Sequence, residues 1–375
     1  YCVSPQDVLE GNEVELLKGG EEAFPAMLSA IAGARRYVLL EFYSFSDDSA
    51  GRAFAEILRR KVREGVKVFL VYDSVGSILT DRGFFRALAA AGVSVAEFRP
   101  VIYWKPYWNW IKRDHRKTVC VDGGCAFVGG FNITESDAPL SMGGRGWKDT
   151  QARVCGPAAA GIEKIFWEAW TASTPVDAPA QAPLPVKEPA AAGSRAASVV
   201  SANGIRNVRS IRHAYRYAID MAREYIYITN AYFLPDKLVL RRLVRAAQRG
   251  VDVRIIGPRE TDHPYVRWAS WAIFGRLIKS GVKIYEWQGP ILHSKTAVID
   301  GVWSSVGSHN LDHRSLSYNL ELNLNVYDRP FGTAMARAFR EDLHDSRLIT
   351  LEDVRRRPLT AKAASRLLYL FRSWL

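Results

Sequence analysis

Nowhere does this chain reach the roughly 18–20 consecutive apolar residues a helix needs to cross a bilayer, which excludes a helical span within these residues. The opening stretch, residues 1–22, is acidic and lacks the basic-then-apolar profile of a signal peptide. Its first residue is Tyr1 rather than Met, so removal of an upstream anchor stays an open alternative. Cysteine is scarce: Cys2, Cys120, Cys125 and Cys155 are the four present. None belongs to a C-x-x-C array with nearby histidines, so no zinc site is expected. Cys120 and Cys125 lie in apolar, strand-like surroundings and read as buried thiols, which suits a reducing compartment.

What is present is ordinary for a globular chain that buries a core: 48% hydrophobic and 24% charged residues over 375 positions. That length suggests two domains, or one large domain made of two similar halves. The formal net charge of +12 points to an anionic partner. A nucleic-acid backbone, an acidic membrane or a phosphorylated substrate would each fit.

Apolar runs and helical periodicities alternate. Val38–Tyr43 reads as a strand, Ala50–Glu64 as a helix, and Val66–Asp73 as a buried strand; a helix over Arg82–Ala91 and a strand over Val93–Phe98 follow. The same order returns as strand Tyr225–Ala231, helix Lys237–Arg249, strand Val251–Gly257, helix Tyr265–Lys279 and strand Val282–Trp287. This implies an α/β fold of two similar mixed-sheet halves covered by helices, related by a pseudo-twofold, with the active site between them. The expected limits are 1–170 and 199–345 for the halves. An Ala/Pro-rich linker is expected over 171–198, and an amphipathic helical extension over 346–375 for docking or membrane contact.

Two stretches repeat the same chemistry. His115, Lys117 and Asp122 precede Gly129-Gly130-Phe131-Asn132, and His293, Lys295 and Asp300 precede Gly307-Ser308-His309-Asn310. In both, His to Lys is two residues (117−115, 295−293), His to Asp seven (122−115, 300−293) and His to Asn seventeen (132−115, 310−293). Residues two apart on a strand face one side, so each His and Lys point together. An odd offset turns Asp122 and Asp300 away; before Gly123 and Gly301 they read chiefly as turn-formers, with a direct catalytic part as the alternative. Asn132 and Asn310 follow small residues that let backbone approach an anion.

Gathered together, two ammonium groups and two amides suit the non-bridging oxygens of a phosphodiester. One neutral imidazole can attack phosphorus while the other, protonated, serves the leaving alkoxide, so neither metal nor cofactor is required. Each imidazole needs an acceptor for its second nitrogen. The candidates are Asp149 and Glu321, each downstream of the histidine of its own half.

The doubled H-x-K-x4-D signature with its G-G/S-x-N resembles the phospholipase D superfamily, and several segments resemble bacterial cardiolipin synthases of the short, peripheral type. These are Glu41–Phe45, Gly146–Thr150, Asn230–Pro235, Gly307–Ser315 and Asn319–Glu321. The resemblance implies a phosphohistidine intermediate with His115 as the usual nucleophile and His293 as acid and then base. It also implies substrate contacts by Glu41, Tyr43 and Ser308. The expected reaction is phosphatidyl transfer to phosphatidylglycerol with release of glycerol, at the cytoplasmic face of the bacterial inner membrane.

Independently, Trp, Tyr and cations interleave over 101–113, which suits an anionic bilayer interface and adds Trp104 and Trp108 as substrate contacts. The helix with Tyr265, Trp268 and Trp271 is a second possible contact, with core packing as its alternative. A hydrolytic phospholipase D, a nucleic-acid phosphodiesterase and an inert anion binder are the competing readings. The Trp-rich segment favours lipid, and no nucleic-acid partner is expected. Oligomeric state is not legible.

Overall fold

The computed structural model describes residues 7–101, 111–177, 184, 189–203 and 209–372. The Trp-rich segment with Trp104 and Trp108 therefore lies outside the described residues, as do Cys2 and much of the expected linker.

The first half supplies strands β1 (Leu9–Lys18), β2 (Tyr37–Phe42), β3 (Lys67–Asp73), β4 (Ser94–Phe98), β5 (Lys117–Val121), β6 (Cys125–Gly129), β7 (Thr150–Cys155) and β8 (Thr174–Pro175). The second supplies β9 (Arg195–Asn203), β10 (Tyr225–Asn230), β11 (Asp252–Pro258), β12 (Lys283–Trp287), β13 (Lys295–Ile299), β14 (Trp303–Gly307), β15 (Leu320–Tyr327) and β16 (Ser346–Ile349). They form one sheet, ordered β16-β12-β11-β10-β13-β14-β15-β9-β1-β7-β6-β5-β2-β3-β4-β8. The order is a palindrome about the β1–β9 seam, where Leu9 pairs with Ala197. Within each half the strands β2-β3-β4 and β10-β11-β12 run parallel, and their neighbours β5 and β13 run antiparallel.

Local chemistry accounts for the parallel portions. Every residue of β2 is buried, as expected for a strand covered by helices on both faces. The helix Ser49–Arg63 starts at Asp48, whose carboxylate accepts from Gly51 N at 3.0 Å, buries Phe54, Ala55 and Leu58, and ends among Arg60, Lys61 and Arg63. Those cations complement the carbonyl end of the helix dipole. Lys237–Gln248 repeats the device with Asp236 as its cap. A shared core unites the halves: Val14, Ile162, Phe166 and Trp170 pack in one cluster with Leu322, Leu324, Phe331 and Phe339.

Several expectations change. The linker ends early, because Arg195–Ser198 already belong to β9, where Ala196–Ser198 pair with β15 and Arg195 with Asn12 of β1. The extension begins as a strand, since Ser346–Ile349 pair with β12 before the helices Leu351–Arg356 and Leu359–Leu370. Cys125 is not a thiol: it faces Cys155 across the β6–β7 ladder and the two form a disulfide, leaving Cys120 as the free, buried cysteine among the described residues. The strand β1 and the helix Gly20–Gly33 carry no signal that the sequence reading used. In the helix Pro264–Lys279, Trp271, Ile273, Phe274 and Leu277 are core, whereas Tyr265 and Trp268 are 40% and 44% exposed. No helix among the described residues is long and apolar enough to cross a membrane.

Asp122 and Asp300 are structural, which corrects their inclusion among catalytic candidates. Both adopt left-handed backbone at φ 53° and 52°, at the turns that end β5 and β13. Asp122 accepts the backbone N–H groups of Arg35, Arg36 and Tyr37 at 2.7–2.9 Å, and Asp300 those of Arg223, Glu224 and Tyr225 at 2.7–2.9 Å. Each carboxylate thus fastens the entry to the adjacent parallel strand. Asp122→Asn places an amide donor against one of these N–H groups. Urea unfolding should report a loss of about 1–2 kcal/mol, with turnover per folded molecule little changed.

Candidate active site

The palindromic sheet gives β5 and β13 equivalent positions in the two halves, and short backbone bridges cross between the halves. Leu320 N donates to Arg113 O at 2.8 Å and His115 N to Leu320 O at 2.9 Å. Symmetrically, Lys148 N donates to Ile291 O at 2.9 Å and His293 N to Lys148 O at 2.7 Å. Each histidine is thereby laid against the carboxylate segment of the opposite half. His293 Nδ1 lies 2.8 Å from Asp149 Oδ2, and His115 Nδ1 lies 3.1 Å from Glu321 Oε1. The sequence order placed each carboxylate with the histidine of its own half; the fold exchanges them.

The small residues before Asn132 and Asn310 make room for those carboxylates. A Cβ on Gly130 would collide with the Asp149 carboxylate. At the matching position the Ser308 hydroxyl donates to Glu321 Oε2 at 2.5 Å. Ser308 is buried and supports Glu321 rather than facing substrate, a correction to its expected role. Glu41 is corrected as well: it is buried and held by Arg116 at 3.1 Å and by the Thr118 hydroxyl at 3.4 Å, away from the cavity lining.

His115, His293, Asn132, Asn310 and Tyr43 line one cavity of about 750 Å³. Lys117 and Lys295 lie buried beneath it, and each ammonium donates to the carbonyl oxygen of its own histidine. Lys295 Nζ is also 3.6 Å from Asp149 Oδ2. Asn132 Oδ1 accepts from Ser44 N at 3.2 Å, which turns its amide group toward the cavity. The Tyr43 ring packs edge-on to His115 with centroids 5.1 Å apart, and Trp147 stands 5.9 Å from His293.

Burial sets the electrostatics. It holds His115 well below the ordinary imidazole value, and Lys117, Lys295, His293 and Arg314 add to the effect by repulsion. Burial pushes Lys117 down to about 7, opposed by the Glu321 carboxylate, and lowers Lys295 against the pull of Asp149. Glu321 is raised by burial. A neutral imidazole whose Nδ1–H is given to a carboxylate presents Nε2 as a lone pair, and both His115 and His293 have such a carboxylate partner.

Asp137, Asp262, Tyr232, Trp147 and Arg314 also line the cavity and were not among the expected site residues. Trp147, Tyr232 and Arg314 fall in segments that carry the family resemblance, whereas Asp137 and Asp262 lie in loops with no repeat. Asp137, Asp149 and His293 have donor atoms within 4.8 Å of one another, the spacing of a possible metal cluster. The donor set does not suit a cation: Asp149 already accepts from His293, and the Lys295 ammonium lies beside it.

A family model described as "Cardiolipin synthase, PLD-like domain" matches residues 27–142 and 215–343. The chain is 34% identical over 356 residues to cardiolipin synthase 1 of Staphylococcus epidermidis, covering 94% of this chain and 72% of that protein. It is 32% identical over 377 residues to the cardiolipin synthase of Geobacillus kaustophilus, covering 98% and 74%. Its fold is similar to that of a phosphatidylserine synthase from Haemophilus influenzae, with a TM-score of 0.75 at 13% identity over 96% of this chain and 95% of that one. A polyphosphate kinase from Porphyromonas gingivalis gives a TM-score of 0.60 at 15% identity, covering 97% and 53%.

Two outcomes are expected. Glu321→Gln removes the charge that orients His115 and should lower kcat on the order of 10²- to 10⁴-fold, with the thermal unfolding profile retained. Because Lys117 loses its proton as pH rises through about 7, a neutral-range titration of a phosphonate inhibitor should show binding weakening above that pH, and Lys117→Met should abolish the dependence.

Proposed function

The chain belongs to the cardiolipin synthase family of phospholipase D-like domains, and from that membership and the site we infer its reaction and mechanism. The protein is a phosphatidyltransferase, acting on phospholipid. We propose that donor and acceptor are both phosphatidylglycerol, that cardiolipin is the product and that glycerol is released. The observation that carries the mechanism is the pair of histidines, each on a buried carboxylate of the opposite half, above two buried lysines in one cavity.

In the first step His115 Nε2 attacks phosphorus, and the bond from phosphorus to the headgroup oxygen breaks. His293 gives its Nε2 proton to that oxygen, so glycerol leaves neutral and a phosphatidyl-histidine remains. In the second step the terminal hydroxyl of another phosphatidylglycerol passes its proton to His293. Its oxygen bonds to phosphorus, the phosphorus–nitrogen bond breaks, and both imidazoles return to their starting states. Lys117, Lys295, Asn132 and Asn310 hold the non-bridging oxygens as negative charge builds on them. Charge concentrated in a dry site is stabilised more strongly than in water, which supports ammonium groups placed at 0% and 1% exposure.

A lipid surface as the working partner is supported by the rim. Ile78, Leu79 and Tyr265 line the cavity at 55%, 98% and 40% exposure. Apolar side chains at the edge of an active site suit contact with the acyl region of a leaflet. Attachment at the cytoplasmic face of the inner membrane, without a nucleic-acid partner, completes the proposal.

Purified protein mixed with phosphatidylglycerol vesicles should yield cardiolipin and glycerol by mass spectrometry. Phosphatidic acid alone would instead mark a hydrolase, and cleavage of a single-stranded DNA control with intact lipid would reject the lipid reading. His115→Ala and His293→Ala should each abolish turnover. Wild-type protein quenched in alkali during turnover, where a phosphorus–nitrogen bond survives, should carry a phosphoryl adduct that maps to residue 115; full activity in either variant would sink the two-histidine mechanism.

A further inference from the structure

The pseudo-twofold is broken beside the two histidines. The residue 22 positions after each histidine is Asp137 in the first half and Ser315 in the second (137−115, 315−293). The Ser315 hydroxyl hydrogen-bonds Glu321, the partner of His115. Asp137 instead brings a second carboxylate to the Asp149–His293 pair, with its donor atom within 4.8 Å of theirs. One oxygen, Oδ2, accepts from the Thr134 hydroxyl at 2.6 Å. The other, Oδ1, is buried without a hydrogen-bond partner, although the residue lines the cavity and is 1% exposed.

A buried acceptor left open on a cavity wall is costly unless something fills it. Asp262 extends the same side: it lines the cavity, accepts from the Tyr232 hydroxyl at 2.6 Å and interacts electrostatically with His293. Among the charged groups that face His293 are Asp149, Asp137, Asp262, Lys295, His115 and His263.

In-line displacement puts the leaving and entering oxygens opposite the nucleophile. With His115 as nucleophile, which rests on the reading above, those oxygens lie on the His293 side. We propose that Asp137 forms a headgroup subsite that accepts a hydrogen bond from a free hydroxyl of a polyol alcohol, glycerol above all. The same contact serves the glycerol that departs and the glyceryl headgroup whose terminal hydroxyl then attacks. It orients the reacting oxygen toward His293 without taking its proton. Burial pushes the Asp137 carboxyl up, which favours a neutral hydroxyl over an ammonium as its partner. The second half has Ser315 at the matching position, and its own buried cavity carboxylate, Asp312, is engaged as a helix cap, its Oδ1 accepting from Ser315 N at 2.7 Å.

The test compares kcat/KM for phosphatidylglycerol with that for phosphatidylethanol of the same acyl chains, whose headgroup has no free hydroxyl. Asp137→Ser, which copies the residue of the other half, should lower the ratio by about tenfold or more. Asp137→Asn keeps an acceptor oxygen and should restore part of the ratio. Equal fractional losses on both donors, or an Asn variant no better than Ser, would mean a structural or purely electrostatic role and overturn the subsite. Phosphatidylethanolamine is the third donor: a greater loss there than on phosphatidylglycerol would assign the carboxylate to an ammonium and overturn the polyol reading. A wild-type protein that turns over no donor would reject phosphatidyl transfer itself, an outcome distinct from a changed ratio.

Discussion

Everything at the centre of this protein depends on two imidazole–carboxylate hydrogen bonds that cross from one half to the other. His115 meets Glu321 and His293 meets Asp149, and each contact is backed by a backbone bridge one residue away. Neither half holds a completed histidine by itself. An imidazole without its acceptor is free to turn and to choose the wrong tautomer, so the pairing explains why a duplicated chain must fold as one body. The continuous sheet and the core shared by Val14, Phe166, Leu322 and Phe339 supply that rigidity.

The second constraint is desolvation. Lys117, Lys295, Asp149 and Glu321 are all at most 1% exposed. Removing a charge from water is unfavourable by several kcal/mol unless partners compensate. Here the histidine carbonyls and the neighbouring carboxylates satisfy the ammonium groups in the free protein. The site is thus stable without ligand yet strongly attractive to a phosphodiester, because an anion arriving in a dry cavity meets weakly screened charge. Burial also separates the states of the groups, depressing His115 and Lys117 while raising Glu321.

Symmetry and its breaking divide the labour between the halves. In the proposed mechanism the repeated parts, two His, two Lys and two Asn, grip the phosphate, which has near-equivalent oxygens. The unrepeated parts, Asp137 and Asp262 toward His293 and Arg314 toward His115, make the two ends of the cavity chemically different. A transfer reaction needs that difference, since one face of phosphorus receives the nucleophile and the other exchanges alcohols.

Periodic and repeated features were legible without coordinates. The parallel strands and their helices fall within a residue or two of their expected limits, because buried runs and capped amphipathic helices are local properties. The doubled His, Lys and Asn offsets were equally plain, whereas strand parity only favoured a turn role for Asp122 and Asp300, and their hydrogen bonds to the strand entries decided it. What only the tertiary structure decided concerns partners distant in the chain. The exchange of Asp149 and Glu321 between halves comes from the cross-half bridges, and the Cys125–Cys155 bond from the register of β6 on β7. The inward turn of Glu41 onto Arg116 and the use of Ser308 to hold Glu321 are likewise set by packing. Spacing along a chain fixes which side a residue faces, but not which distant residue the fold brings against it.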